Sequence, residues 1–263
     1  MKKVTYISHS GYVVELDQVC MLFDYWKESM PEFPTDKPLV VFSSHHHPDH
    51  YNPVIWDLAK KYDNVYYVLG SDITVSEEEK AQYGITEEIW GRTLVVKGNK
   101  HFELPVVCGG CAKALGAAGT EEAEETDVLT IQIDTMRSTD EGVAFYVTCE
   151  GTEIFNAGDL HLWKWPGEDP VINDFMIKSF EKYTSFLRGK TPDLAFLLID
   201  ARLENYMFEG MDYYLSIMEP KVILPMHFWD RYDLIQEYKL TRKDNPLVDR
   251  IVDVADLGQV FEF

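Results

Sequence analysis

Pro38-Leu39-Val40-Val41-Phe42-Ser43-Ser44-His45-His46-His47-Pro48-Asp49-His50 decides how this chain reads. Its first half is a short apolar run rich in β-branched residues, bounded by Pro38, and it predicts a buried strand. Its second half spells H-x-H-x-D-H, with His45, His47, Asp49 and His50 packed into one turn. Imidazoles clustered this densely leave donors and acceptors hard to satisfy unless a cation draws them together. Neutral histidine plus carboxylate is the ligand mix that suits zinc, manganese or iron. A solvent-exposed histidine tract is the bland alternative, but such a tract would be terminal and would lack the aspartate. Beyond the loop, Asn52 can cap a helix with Pro53 in its first position, and Val54, Ile55, Leu58 and Tyr62 then share a face. Ligands at a strand-to-helix junction agree with the rule that α/β sites lie beyond the carboxyl ends of strands.

A hydrophobic strand running into H-x-H-x-D-H resembles the metal-binding motif of the metallo-β-lactamase fold superfamily. Later segments extend the likeness. Ile154-Phe155-Asn156-Ala157-Gly158-Asp159 resembles the hairpin strand that ends in a ligating Gly-Asp pair. Val222-Ile223-Leu224-Pro225-Met226-His227 resembles the late strand that delivers a histidine. His9-Ser10-Gly11 before a strand, and Met21-Leu22-Phe23-Asp24 with a terminal aspartate, match the family's opening. The resemblance covers about residues 4 to 230. It is strongest to the lactonase/phosphodiesterase-like branch, which includes ascorbate-6-phosphate lactonases. It implies a four-layer αββα sandwich of two mixed β-sheets. It also implies a metal set of His45, His47, Asp49, His50, Asp159 and His227, with Asp159 bridging two ions and Asp24 orienting a ligating histidine.

One ligand of that pattern is missing. Many members carry a histidine roughly two dozen residues before the Gly-Asp pair. Here Thr135-Met136-Arg137-Ser138-Thr139-Asp140-Glu141-Gly142 occupies that stretch without one. Arg137 falls near the position and cannot ligate, because its guanidinium stays protonated. Three readings stay open: one tightly held ion, a second and weaker ion with an open position, or completion of the first site by His161 or Asp140.

Composition narrows the function. The chain of 263 residues is long enough for one large core and reads as one domain. Its formal charge of −21 argues against nucleic acid, whose phosphates need clustered Lys and Arg. No apolar stretch reaches transmembrane length, and Met1-Lys2-Lys3 leads straight into a predicted strand, so the expectation is a cytoplasmic protein with no membrane partner. Four cysteines give no disulfide framework. Cys20 and Cys149 fall in apolar strand patterns. Cys108-Gly109-Gly110-Cys111 is a lone C-x-x-C, read as a loop feature rather than a redox pair or half a zinc site.

Further strands are predicted at 4–7, 12–16, 19–23, 65–69, 93–96, 128–134, 143–148, 154–156, 194–199 and 222–224. Ser76 with Glu79 forms a capping box. Longer helices are expected near 172–187, with Phe175, Ile177, Phe180, Tyr183 and Phe186 apolar, and near 209–218, stopped by Pro220. Residues 109–127 are rich in Gly, Ala and Glu and read as a surface insertion. The chemistry expected is hydrolysis of a small, anionic ester, lactone or phosphodiester. One or two divalent ions, zinc first and manganese or iron as alternatives, would lower the pKa of bound water and supply hydroxide, with Asp49 and Asp159 catalytic. Arg137, His9, Trp163 and Trp229 are the candidate substrate contacts, and Trp165, Phe228 and Lys164 lie in the same segments. The alternative is a non-hydrolytic metal-binding or di-iron redox protein on the same fold. The aromatic content leaves room for a homo-oligomer.

Overall fold

All five residues of Leu39–Ser43 (β4) are buried, and consecutive side chains enter different cores. Val40 and Phe42 point into one cluster; Leu39 and Val41 point into another. A strand covered on both faces needs no polar alternation, which is why it reads as an unbroken apolar run. The protein is described here from a computed structural model over residues 2–108 and 127–263.

Seven strands form the first sheet. They are Lys3–Ser8 (β1), Gly11–Glu15 (β2), Cys20–Phe23 (β3), β4, Val65–Gly70 (β5), Thr93–Val96 (β6) and Val260–Glu262 (β13), in the order β13-β1-β2-β3-β4-β5-β6. The hairpins β1–β2 and β2–β3 are antiparallel, whereas β3 to β6 run parallel. The second sheet holds His101–Cys108 (β7), Asp127–Arg137 (β8), Val143–Cys149 (β9), Thr152–Asn156 (β10), Leu194–Leu198 (β11) and Val222–Met226 (β12), in the order β12-β11-β10-β9-β8-β7. It too is mixed, with only β10, β11 and β12 parallel.

The sheets face each other across aromatic side chains. Phe196 of β11 meets Tyr12 at 4.7 Å and Phe23 at 5.6 Å, and Phe42 meets Phe145 of β9 at 5.3 Å. On the outside of the first sheet, Trp56 covers Tyr67 of β5 at 4.2 Å. The second sheet is covered by Pro170–Tyr183 (α4) and Glu209–Ile217 (α5), where Phe180 packs on Tyr214 and Tyr214 on Phe155 of β10. This is the expected four-layer αββα sandwich, and the ends of β1 and β12 and of β4 and the start of β9 meet across the two sheets, through His227 N to His9 O and Val143 N to Ser44 O.

Local signals account for most boundaries. Asn52 accepts from the Val54 amide and opens a 3-10 turn at Pro53–Asp57, followed by the single helical turn Leu58–Lys61 (α1). Ser76 accepts from Glu79 and opens Glu77–Tyr83 (α2), and Thr86 opens Glu87–Gly91 (α3). Helix α4 starts before its predicted bound because Asp169 caps it and Pro170 fills its first position. Its apolar face was also drawn too widely: Phe180 is buried, but Phe175 is 69 % exposed. Two strands, β7 and β13, and two helices, α3 and Asp233–Thr241 (α6), escaped prediction. β7 carries Pro105, which argues against a central strand; it stands at the sheet's edge, where proline costs least. The expected insertion at 109–127 falls on residues outside the described ones, save that Asp127 already opens β8. No helix among the described residues is long and apolar enough to cross a membrane.

Candidate metal centre

Ser44 is the hinge between β4 and the histidine loop. Its amide donates to Asp24 Oδ1 at 2.8 Å, and its hydroxyl lies 3.0 Å from Asp24 Oδ2 and 2.9 Å from His45 Nδ1. Its carbonyl accepts from Val143 N at 3.1 Å, which joins the two sheets at the site. Gly142 makes that approach possible: φ is 65°, and a Cβ there would stand 2.1 Å from the Ser44 oxygen. The loop then coils on itself through His50 N and Tyr51 N donating to His47 O.

His45, His50 and His227 are each held by Nδ1 and aimed by Nε2. His50 Nδ1 meets Asp24 Oδ2 at 3.1 Å, leaving Nε2 facing Asp159 Oδ1 at 3.2 Å. His227 Nδ1 meets Asp200 Oδ2 at 2.9 Å, leaving Nε2 at 3.7 Å from both Asp49 Oδ2 and Asp159 Oδ1. His45 Nε2 faces Asp159 Oδ2 at 3.6 Å and His47 Nδ1 at 3.0 Å. Asp159 therefore turns one oxygen to His45 and the other to His50 and His227. A carboxylate or hydroxyl behind Nδ1 fixes ring and tautomer together, as metal-ligating histidines usually require.

Of three groups whose donor atoms lie within 4.8 Å of one another among the described residues, two are drawn from these side chains, His9, Asp49, His50 and His227, and His45, His47 and Asp159, while the third, His46, Asp72 and Glu141, is the more exposed. Sequence reasoning set His9 at the mouth as a substrate contact; the fold places it inside the first group, with Nε2 3.2 Å from Asp49 Oδ2. His9 Nε2, His50 Nε2 and Asp159 Oδ1 are buried and make no hydrogen bond. Buried polar atoms are rarely left so, and three that converge on one space fit a bound cation. The donor set of imidazoles and carboxylates fits a divalent ion.

Electrostatics agree with the crowding. Burial pushes the His9 imidazole down to about 4 and that of His45 to about 3. For His227, burial is outweighed by the charge of Asp159 and by Asp200 and Asp49, and its pKa rises to about 9. His50 is raised as well, against its burial, chiefly by Asp159 and Asp24. Burial alone would raise Asp49 and Asp159, but the surrounding histidines hold both well below the usual carboxylate range.

The position of the absent histidine is filled otherwise. Arg137 ends β8 with its guanidinium 5.3 Å from the Tyr183 ring, and no hydrogen bond or ion pair ties that guanidinium to the ligand groups among the described residues. Asp140 brings Oδ2 to 3.9 Å from His47 Nδ1, at the edge of the His45 group. His161 belongs to neither group. It is fully buried, both ring nitrogens lack a hydrogen-bond partner, and Gly210 of α5 lies against its ring.

The aromatic rim is broader than the sequence suggested. Trp163 donates Nε1 to the Asp159 carbonyl and packs 5.7 Å from His227; Trp229 stands 4.5 Å from His9; Trp26, unforeseen, stands 5.1 Å from His9. Lys164 is occupied by Glu209 at 3.0 Å. Asp200 and Arg202 were also missed, although the position of Asp200, two residues beyond β11, is the kind of strand end where ligand-supporting residues collect.

The sequence model of a family described as a beta-lactamase superfamily domain matches residues 3–164. No curated protein sequence matches the chain. Among solved structures, the chain is similar to Igni18, described as a novel metallo hydrolase of the archaeon Ignicoccus hospitalis, with 18% identity, TM-score 0.56, and coverage of 100% of this chain and 99% of that one. It is similar to the metallo-beta-lactamase fold protein YhfI of Bacillus subtilis, with 15% identity, TM-score 0.54 and full coverage of both chains. It is also similar to CmlA, a diiron beta-hydroxylase of Streptomyces venezuelae, with 10% identity and TM-score 0.55, covering 100% of this chain and 54% of CmlA. At such identities the likeness is one of fold.

Proposed function

The chain belongs to the beta-lactamase superfamily domain family, and from that premise we propose that it is a metal-dependent hydrolase of a small anionic ester, lactone or phosphodiester. The observation that carries the reading is the convergence of unbonded, buried Nε2 and Oδ1 atoms from His9, His50 and Asp159 on one space, with Nδ1 of His50 and His227 anchored behind by carboxylates. His9, Asp49, His50 and His227 would hold one ion. His45, His47 and Asp159 would hold a second, with Asp140 at hand and Asp159 offering one oxygen to each. Zinc suits this set, with manganese and iron as alternatives. A divalent ion supplies Lewis acidity toward a carbonyl or phosphoryl oxygen and a water of lowered pKa. Asp49, partly open to solvent and directed at the same space, would orient the nucleophile and receive its proton. Asp24 and Asp200 would keep His50 and His227 in the ligating tautomer.

A second reading, oxidative chemistry at paired irons, draws on one observation. Asp140 beside His47 would make the second group richer in carboxylate, and the fold is shared with a diiron hydroxylase. Elemental analysis of protein purified without added metal, and again after zinc or manganese, combined with assays on ester, lactone and phosphodiester panels, separates the two. About two ions per chain and chelator-sensitive hydrolysis support the proposal. Iron with oxygen-dependent chemistry and no hydrolysis supports the second reading. No bound metal in any preparation sinks both.

A further inference from the structure

We infer that the substrate carries an anionic group, a carboxylate or phosphate, on a flat apolar body, and that Arg202 holds the anion while Trp163, Trp165 and Trp229 hold the flat part. This rests on the hydrolytic reading of the metal centre, because it places the ligand at that centre's mouth.

One carboxylate organises the mouth. Asp200 is fully buried, and its Oδ2 meets His227 Nδ1 at 2.9 Å, Trp229 Nε1 at 3.3 Å and Arg202 Nη2 at 2.6 Å, while Arg202 Nε lies 3.0 Å from both its oxygens. The ligating imidazole, an aromatic wall and a cation are thus fixed to one another. The guanidinium carbon sits 4.9 Å from the Trp229 ring, 5.7 Å from Trp165 and 5.8 Å from Trp163. Trp163 and Trp165 are themselves stacked, 6.1 Å apart and 11° from parallel. The cation lies in an aromatic cage that opens beside His227.

Arg202 has an edge to spare. A guanidinium offers five N–H groups along two forked edges. The Nε–Nη2 edge is spent on Asp200, and Nη1 makes no hydrogen bond among the described residues. A group present only to brace Asp200 could be buried; this side chain is 48% exposed. Its charge also stands out in a chain of 24 basic and 45 acidic residues. Lys164 is paired with Glu209, and the Arg137 guanidinium rests on Tyr183. Lys27 lies 3.9 Å above Trp26, whose ring is 6.0 Å from Trp229, and the Lys27 ammonium makes no ion pair among the described residues. In a protein of formal charge −21, Arg202, with one edge on Asp200, and Lys27 set positive charge beside the candidate metal ligands. The aromatic planes supply an apolar surface of the right shape for a flat group, worth most when a cation shares the face.

Small probes test this. Tryptophan fluorescence is titrated with phenylacetate, phenyl phosphate and the uncharged phenylacetamide, in metal-loaded and in chelator-treated protein. Saturable binding of an anionic probe is expected in both preparations, with phenylacetamide weaker by about tenfold or more. The tighter anion names the group. Arg202→Gln should weaken the anionic probe about tenfold or more at unchanged metal content, and Arg202→Lys should fall between. Trp165→Ala, an exposed wall position, should weaken phenylacetate about three- to tenfold while leaving acetate alone unaffected. Equal binding of phenylacetamide, or wild-type affinity in Arg202→Gln, overturns the inference. So does binding that vanishes with the metal and ignores Arg202, since the anion would then be on the ion. A wild-type protein that binds no metal yet shows the Arg202 effect would instead refute the hydrolytic reading and leave the anion edge standing.

Discussion

Replacing Asp24 by asparagine isolates the role of the carboxylate behind His50. Asp24 is 1% exposed, and asparagine keeps its shape and one acceptor for the Ser44 amide at 2.8 Å. It also puts an NH2 where Oδ2 now faces His50 Nδ1 at 3.1 Å and the Ser44 hydroxyl at 3.0 Å. Two donors would then oppose each other unless His50 gives up its Nδ1 proton. In that tautomer Nε2 carries the hydrogen and turns it toward the metal space, so ligation and the new hydrogen bond exclude one another. A hydrogen bond to a charged partner is worth about 1.5–3 kcal/mol. A supporting carboxylate behind a metal-ligating histidine is typically worth about 10–100-fold in affinity, roughly 1.4–2.7 kcal/mol. The two figures overlap, and a loss in that range is expected for the ion held by His9, Asp49, His50 and His227. The ion on His45, His47 and Asp159 should lose less, because His45 is braced by Ser44. Competition against a chromophoric chelator measures both constants, and thermal unfolding in chelator checks that the metal-free fold survives. An Asp24→Asn protein that binds both ions within about threefold of wild type would refute the account, since that range is well short of the loss expected.

Two further outcomes follow from the same geometry. His227, raised to about 9, is protonated in the metal-free protein at neutral pH, and Asp159 and Asp24 shift His50 in the same direction, whereas His9 and His45, lowered to about 4 and about 3, are neutral. Ligation needs the Nε2 lone pair, so metal uptake near pH 7 should release at least one proton, and affinity should tighten as pH rises toward 9. Calorimetry in buffers of different ionisation enthalpy counts those protons, and a value near zero would contradict the arrangement. Gly210→Ala would set a Cβ 2.2 Å from His161 Cε1, under a ring with no exposure. Overpacking of this kind costs about 1–3 kcal/mol, and each kcal/mol lowers the melting temperature of a chain this size by about 2–4 °C. An unchanged melting temperature would mean that the ring has room to move.

The fold was legible because its central strands are buried on both faces. Leu39–Ser43 and Leu194–Leu198 show as apolar runs in any reading. β7 and β13 were not legible, one because of Pro105 and the other because three half-exposed residues carry no period. At the centre, the density of His45 to His50 gave the loop away. Asp200 and Arg202 could not announce themselves: an aspartate followed two residues later by an arginine is ordinary surface composition. Only the packing of β11 beside β12 brings Asp200 behind His227. The placement of His9 was hidden for a similar reason, since its contact with Asp49 forms only when the turn after β4 folds against the end of β1.

Backbone conformation shows how so many strand ends converge. His9, Asp24, His227 and Trp229 all have positive φ, at 51°, 43°, 64° and 50°, which non-glycine residues adopt at a cost of about 1–3 kcal/mol each. An extended residue would send its side chain above or below the sheet, into a core that has no place for an imidazole or a carboxylate. The left-handed turn redirects it past the strand's end, into the space between the two sheets' edges. The His227 amide meets the His9 carbonyl there at 3.2 Å, so the two turns brace each other across the sandwich. Strain of this size needs a large apolar core to hold it, and the aromatic layer of Tyr12, Phe23, Phe42, Phe145 and Phe196 lies directly behind these strand ends. Binding a cation would repay part of that cost by satisfying atoms that are otherwise buried without partners, so the metal-bound protein should be the more stable form.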